Sequence, residues 1–413
     1  MARNGPPYEM LATLARDPEN QPIVAVFAKR TYDLLPGGKL RFAEKQLPLV
    51  REEAVEKRDD RPSEVMLAEL DTWPIKLATD VVVLGKVHAE KGKPVPEMAA
   101  GIKVGAHGKA VRVIGDRRVD YEPGRRPVFS SPTPFAEMDL TYWRAYGGID
   151  ASLVAPEPAN MRELIRSLTP EEKPGAYPRN PAGVGYVVSD DPRAVHGLAL
   201  PNFEDPANPL APEKLIVRDP ALWWKMPLPQ GLSWFHGGCY PRSALFGLRP
   251  RFAPPDDTEQ VEEVRRGYLP KGRCKFLEAA SVDRMIDFRA FNGASPGLVV
   301  PYLKGNEAVR LVGLAPEGEI QFALAGEQPE VTIRFAGKAL APTLLLHTLL
   351  IEPDEKRYSV VWCARARTPR FLPDRMPTAE DLMYDMLEGF EIAVDGVELA
   401  HRREKYQPKP MFG

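Results

Sequence analysis

The sequence predicts a mainly β protein: two sandwich-like sheet domains joined by a long ordered region rich in Pro, Gly and aromatic residues, with a few short helices. Three observations carry this reading. Short runs rich in Val, Ile and aromatic residues recur between turn signals at both ends of the chain. Proline occupies 44 of 413 positions, about twice the usual frequency of roughly 5%. Between Phe129 and Pro255 regular hydrophobic periodicity almost vanishes while aromatics persist, which a polar disordered linker would not show.

The elements follow in order. After an N-terminal segment of residues 1–19, Ile23 to Ala28 is apolar on both alternating faces, Lys29 to Leu34 alternates, and Pro36-Gly37-Gly38 turns the chain into Lys39 to Phe42. Further strands are expected at 80–84, 102–104 and 110–114, punctuated by Gly85, Gly105 and Gly115. A first β domain therefore spans 20–130. The region 131–295 is expected to wrap tightly over the sheets with its aromatics buried, and holds one helical stretch near 160–168, bounded by Pro158 and Pro170. Strands return at 309–314, 319–324 and 331–335. A long hairpin then pairs Leu344 to Ile351 with Tyr358 to Ala364 through a turn at Pro353-Asp354, which gives a second sheet domain over 296–367. In the tail, 368–413, Thr378 and Asp381 suit the start of a helix carrying Leu382, Met383, Met386, Leu387 and Phe390 on one face, followed by a small hairpin around Asp395-Gly396.

Composition narrows the function. Lys and Arg number 55 against 57 Asp and Glu, a formal net charge of -2, so no global positive field favours nucleic acid. The three cysteines, Cys239, Cys274 and Cys363, are widely spaced and odd in number, which fits neither a disulfide framework nor a structural zinc site. A reducing cytoplasm is the expected compartment. No signal-like apolar stretch opens the chain, and the longest apolar run, Leu340 to Ile351, is too short for a bilayer and is broken by Pro342 and His347. The run of alternating charge from Arg51 to Arg61 reads as a solvated surface segment.

Candidate chemistry is thin. Gly293-Ala294-Ser295-Pro296-Gly297 matches the spacing of a nucleophile elbow, but Pro296 has no N–H to donate to an oxyanion, so a turn is expected and Ser295 is not expected to be a nucleophile. His236 and Cys239 are close in sequence without an orienting third group, and Cys239 is expected to be a buried structural thiol. The six histidines show no metal-ligand spacing, and Asp190-Asp191 and Asp256-Asp257 lie in turn-like contexts without a histidine partner, so no metal and no cofactor are expected. Gly105-Ala106-His107-Gly108-Lys109 lacks the spacing of a phosphate loop and reads as a hairpin turn. Glu204-Asp205, flanked by Pro201, Asn202 and Pro206, is expected to satisfy loop amides. Trp223, Trp224, Trp234, Phe235 and Tyr240 form an aromatic group suited either to a core or to partner anchors.

Several segments occur in the order of a bacterial family. They are Lys29 to Leu34, Ala43 to Leu49, Lys76 to Gly85, Val113 to Arg117, Ala145-Tyr146-Gly147-Gly148, the Arg179-Asn180-Pro181 loop, Leu200 to Pro206 with Asn202 and Glu204, His347 to Asp354, and Val360 to Ala364. Over roughly residues 20–367 the chain resembles a domain-of-unknown-function family found beside type VI secretion effector genes. The resemblance implies an effector adaptor or chaperone that holds an effector with a PAAR or PAAR-like N-terminal region and delivers it to the VgrG spike. It also implies a binding or structural role for the Arg179-Asn180-Pro181 loop, Asn202 and Glu204. The insertion from Ala151 to Glu172 and the tail beyond Thr368 depart from the family pattern. An enzyme of the hydrolase class, with a site outside known motifs, is the alternative.

Overall fold

The computed structural model describes residues 8–19, 21–60, 63–122, 124–153, 175–245, 276–278, 285–369, 387 and 389–399. The stretch 160–168, Cys274 and Asp256-Asp257 lie outside them. So does the helix expected from Thr378, except at its end, where Leu387 sits in a turn and Phe390 opens a strand rather than closing a helix. Strands dominate, and no described helix reaches seven residues, which bears out the mainly β class.

A seven-stranded sheet forms the centre, in the order Met10–Arg16, Pro22–Leu35, Arg357–Arg367, Thr343–Glu352, Thr79–Val83 and Val299–Val300, with Lys39–Phe42 pairing the far half of Pro22–Leu35. Neighbours are antiparallel except Thr343–Glu352 with Thr79–Val83, which run parallel. A five-stranded antiparallel sheet follows the order Phe203–Glu204, His107–Ile114, Glu97–Val104, Ala308–Val312 and Glu319–Ala323. The third, of four strands, is Lys338–Leu340, Val331–Phe335, Phe390–Val394 and Val397–Glu398. The expected hairpins at Pro36-Gly37-Gly38, Gly105, Pro353-Asp354 and Asp395-Gly396 are all present.

The two stretches read as separate sheet domains share their sheets instead. Strands from 20–130 pair directly with strands from 296–367 within both large sheets. Each half leaves strand edges unpaired that the other half fills, so a boundary drawn between them in sequence cuts through hydrogen-bonded strand pairs in space, Pro22–Leu35 with Arg357–Arg367 and Glu97–Val104 with Ala308–Val312 among them.

Pro22–Leu35 is buried on both faces because both are covered, and it is apolar on both from Ile23 to Ala28. On one face Val24, Val26 and Ala28 pack on Ile333, Ile392 and Val394 of the four-stranded sheet. Farther along that face, Tyr32 and Leu34 join Val104, Val111, Val309 and Phe322 of the five-stranded sheet in the largest core. The opposite face carries Ala25 and Phe27 against Leu49 and Cys363, and Ile23 against Ile75 and Phe288.

Much of the middle region folds into a core of its own. Tyr146, Tyr177, Tyr186, Trp223 and Tyr240 cluster with Val187, Leu200 and Leu215. Tyr177 meets Trp223, and Trp223 meets Tyr240, edge to face at centroid distances of 6.2 and 5.1 Å, a favoured aromatic geometry.

Candidate functional site

The covered outer face of the central sheet holds a layer of buried polar groups. Lys29 pairs with Asp71 at 2.7 Å, Lys76 with Asp80 at 2.7 Å, and Arg242 with Glu69 at 2.7 Å, all essentially without solvent contact. Asp80 does more than neutralise Lys76. Its carboxylate accepts hydrogen bonds from the backbone N–H groups of Gly293 and Ala294 and from the Asn292 amide, at 3.1, 3.2 and 3.1 Å. The elbow-like turn around Ser295 is thus strapped to the sheet by a strand carboxylate. Gly293 has no room for a side chain, since a Cβ would lie 2.4 Å from Glu69 Oε2.

Ser295 has three partners that no sequence motif announces. Lys109 Nζ donates to its Oγ at 3.0 Å, Tyr142 Oη lies 2.7 Å from the same atom, and the Ser295 hydroxyl donates to the Gly231 carbonyl at 2.6 Å. Burial of the amino end lowers the Lys109 pKa to about 7, and burial raises the Tyr142 phenol well above its usual value. A depressed lysine beside a serine is one way to activate a nucleophile. Here the serine is fully buried and its proton is directed at a backbone carbonyl. Lys109 belongs to the strand His107–Ile114, so the turn read over 105–109 occupies only its first residues.

The family-like segments converge nearby as hydrogen-bonded staples. Asn180 donates to the Tyr142 and Tyr146 carbonyls at 2.9 and 3.2 Å. Its own carbonyl crosses Gly147 so closely that a Cβ there would lie 2.0 Å from the oxygen, which explains glycine in the Ala145-Tyr146-Gly147-Gly148 segment. Arg179 donates to the Met226 carbonyl at 3.2 Å and lies over the Trp223 ring, while Pro181 is buried beside it. Asn202 donates to the Ile114 carbonyl and Asp116 Oδ1, both at 2.9 Å. Glu204 pairs with Arg117, lies 3.5 Å from Arg112 and also accepts from the backbone N–H of the loop residue Leu210. Asp205 also takes the loop role, accepting from the Ala207 N–H at 2.8 Å. Burial raises the Glu204 carboxyl pKa, and Arg117 and Arg112 offset this only in part.

Asn202 and its partner Asp116 also line a surface cavity of about 460 Å³. Four arginines line it: Arg58 from the hairpin of Ala54–Lys57 and Glu64–Ala68, Arg117 and Arg118 after strand His107–Ile114, and Arg144 from the turn Tyr142–Arg144. Trp143, Val184 and Leu200 supply apolar wall. The tandem Arg117-Arg118 was the only sequence hint; Arg58 and Arg144 arrive through tertiary structure.

The aromatic candidates separate by burial. Trp223, Trp234, Phe235 and Tyr240 are core residues, 1 to 2% exposed. Each packs in an apolar cluster, so none offers a ring to a partner in this fold. Trp224 alone is partly exposed, and it lines a second cavity, of about 360 Å³, with Arg179, Asp205 and Met226. Cys239 is buried among Val65, Tyr142 and Trp143, as expected of a structural thiol. His236 accepts from the Gly238 N–H through Nδ1 at 2.9 Å and turns Nε2 toward Glu64 at 3.4 Å. No group of His, Cys, Asp and Glu suited to a metal ion occurs among the described residues. No helix there is long and apolar enough to cross a membrane.

Neither the curated proteins nor the solved structures contain a match to this chain. A family model described as "Uncharacterized protein conserved in bacteria" matches residues 19–363. That span takes in strands of all three main sheets, the buried ion pairs and the arginine-lined cavity. The chain therefore belongs to the bacterial family DUF2169.

Proposed function

We propose that this protein is a cytoplasmic adaptor for type VI secretion, holding the PAAR-like N-terminal region of an effector and presenting it to the VgrG spike. The partner comes from the ordered resemblance over residues 20–367. The observation that carries a binding role is the meeting of two resembling segments, Val113 to Arg117 and Leu200 to Pro206, at one solvent-facing cavity, with Ala145 to Gly148 following directly on its wall residues Trp143 and Arg144. Buried staples fix that cavity from behind: Asn180, Asn202 and Glu204 each bond to a segment distant in sequence. A rigid concave surface with charged and apolar walls suits protein recognition, because little conformational entropy is lost on binding. Trp224, beside the second cavity, is the aromatic anchor available to a partner. Co-expression with the effector encoded beside its gene tests the reading. A complex that co-elutes on size exclusion and raises the effector's soluble yield is expected; an effector equally soluble and unaccompanied in its presence refutes the adaptor role.

A hydrolase reading draws on one observation, the 3.0 Å contact between Lys109 and Ser295. Against it stand the full burial of Ser295, the commitment of its proton to Gly231, and Pro296 where an oxyanion donor is needed. A fluorophosphonate probe is expected to leave the folded protein unlabelled. Stoichiometric labelling abolished by Ser295→Ala would establish the enzyme instead.

A further inference from the structure

The arginine-lined cavity has a charge balance that specifies its ligand. Three of its guanidinium groups are answered from within the protein. Arg58 meets Glu56 at 2.8 Å, Arg144 meets Asp116 at 3.1 Å, and Arg117 pairs with Glu204. Arg118 has no carboxylate partner among the described residues; it donates to the Gly197 carbonyl at 2.8 Å and is otherwise exposed. Arg117, its side chain only 9% exposed, leaves Nε without an acceptor. Four cations against three carboxylates leave a single net positive charge.

We propose that this cavity seats one carboxylate of an acidic segment of the protein partner, with Arg118 as the principal charge and Arg144 and Arg58 flanking it. The partner class rests on the adaptor reading above; the ligand chemistry rests on the cavity. A guanidinium presents paired N–H donors that match the two oxygens of a carboxylate. One net charge balances a monoanion, whereas a phosphate dianion would leave the site negative. Val184 is the partly exposed apolar residue of the wall and suits the methylene stem of a Glu, while Trp143, with Arg58 above it at 5.4 Å, and Leu200 back the site from the interior. The backbone around Arg117 is tied on both sides by main-chain hydrogen bonds: the Gly115 N–H donates to the Pro96 carbonyl, the Thr133 N–H to the Asp116 carbonyl and the Ser130 N–H to the Arg118 carbonyl, each at 2.9 Å. The pocket is therefore formed before the ligand arrives.

The test has two arms and uses the full chain. In the first, fluorescence anisotropy follows a fluorescein-labelled, end-capped peptide Gly-Asp-Glu-Glu-Asp-Gly, its Asn/Gln counterpart, and a version with phosphoserine in place of the central Glu pair. Wild type is expected to bind the acidic peptide and not the amide peptide. Arg118→Glu and Arg118→Gln, checked for folding by circular dichroism, are expected to weaken binding by about tenfold or more, the usual worth of a charged hydrogen-bonded contact. Equal binding of acidic and amide peptides, unchanged affinity in the folded Arg118 variants, or tighter binding of the phosphoserine peptide each overturns the carboxylate assignment. In the second arm, the same variants are co-expressed with the neighbouring effector. Loss of the complex in Arg118→Glu supports the proposal. A complex unaffected by Arg118→Glu overturns the cavity as the docking point and leaves the adaptor role standing. Peptide binding without any effector complex in wild type supports the carboxylate site and refutes the adaptor role.

Discussion

Asp80 ties the buried polar layer to the turn that precedes Ser295. It neutralises Lys76, and through three further hydrogen bonds it fixes Asn292, Gly293 and Ala294 against the sheet. Removing one partner of a buried pair strands the other charge, at a cost of about 3–5 kcal/mol. Asp80→Ala is therefore expected to lower the unfolding free energy, read from urea titrations, by an amount in that range; a change below about 1 kcal/mol, the level of a surface pair, would contradict the role. His347 makes a different prediction. It is fully buried at a register shift in Thr343–Glu352, and burial, then the nearby cations Arg365 and Lys76, hold its pKa well below 6.5. Below pH 6.5 the unfolded chain takes up a proton that the folded chain refuses, so stability falls as pH drops, by up to about 1.4 kcal/mol per pH unit for one group. Urea titrations of wild type and His347→Leu between pH 7 and 5 should show a shallower loss in the variant. Parallel pH profiles would mean that His347 is not the group responsible. Neither role was legible beforehand. Asp80 read as one polar residue within an apolar strand, and His347 as an interruption in an apolar run, because the partners that bury them come from residues 73–76, 292–294 and 365.

At the scale of elements, the hairpins were legible because their signals are local. Pro36-Gly37-Gly38, Gly105 and Asp395-Gly396 each join strands that pair directly across the turn. The pairing of Thr79–Val83 with Thr343–Glu352 was not legible, since a parallel pair separated by most of the chain leaves no turn to read. The same limit hid the sharing of sheets between the two ends of the chain. It also gives a measurable consequence: Arg357–Arg367 is hydrogen-bonded on both sides, by Pro22–Leu35 and Thr343–Glu352, whereas Met10–Arg16 is paired on one side in the sheet order. Backbone amides buried centrally open only with the whole domain, and edge amides open locally. Hydrogen exchange should therefore be slowest in 357–367 and clearly faster in 10–16. Equal protection of the two would mean that the outer edge is covered.

At the scale of the whole molecule, three sheets and a separate aromatic core combine into a scaffold whose sequence-distant family segments meet at one concave surface. The mainly β class and the burial of the middle-region aromatics were readable from composition and periodicity. The site was not. Trp223, Trp234, Phe235 and Tyr240 carry the composition of an interface and serve the core, because large aromatics stabilise either setting by the same burial of apolar area. The arginine-lined cavity combines residues from 58, 117–118 and 144, which only the fold brings together. Hydrogen exchange measured by mass spectrometry on the chain alone, and on the chain mixed with the effector's PAAR-like N-terminal region, tests the central claim most directly. Slowed exchange is expected around 116–121, 197–204 and 222–228, the segments bordering the two cavities. Unchanged exchange throughout the chain at saturating effector, or protection confined to surfaces remote from both cavities, would contradict it.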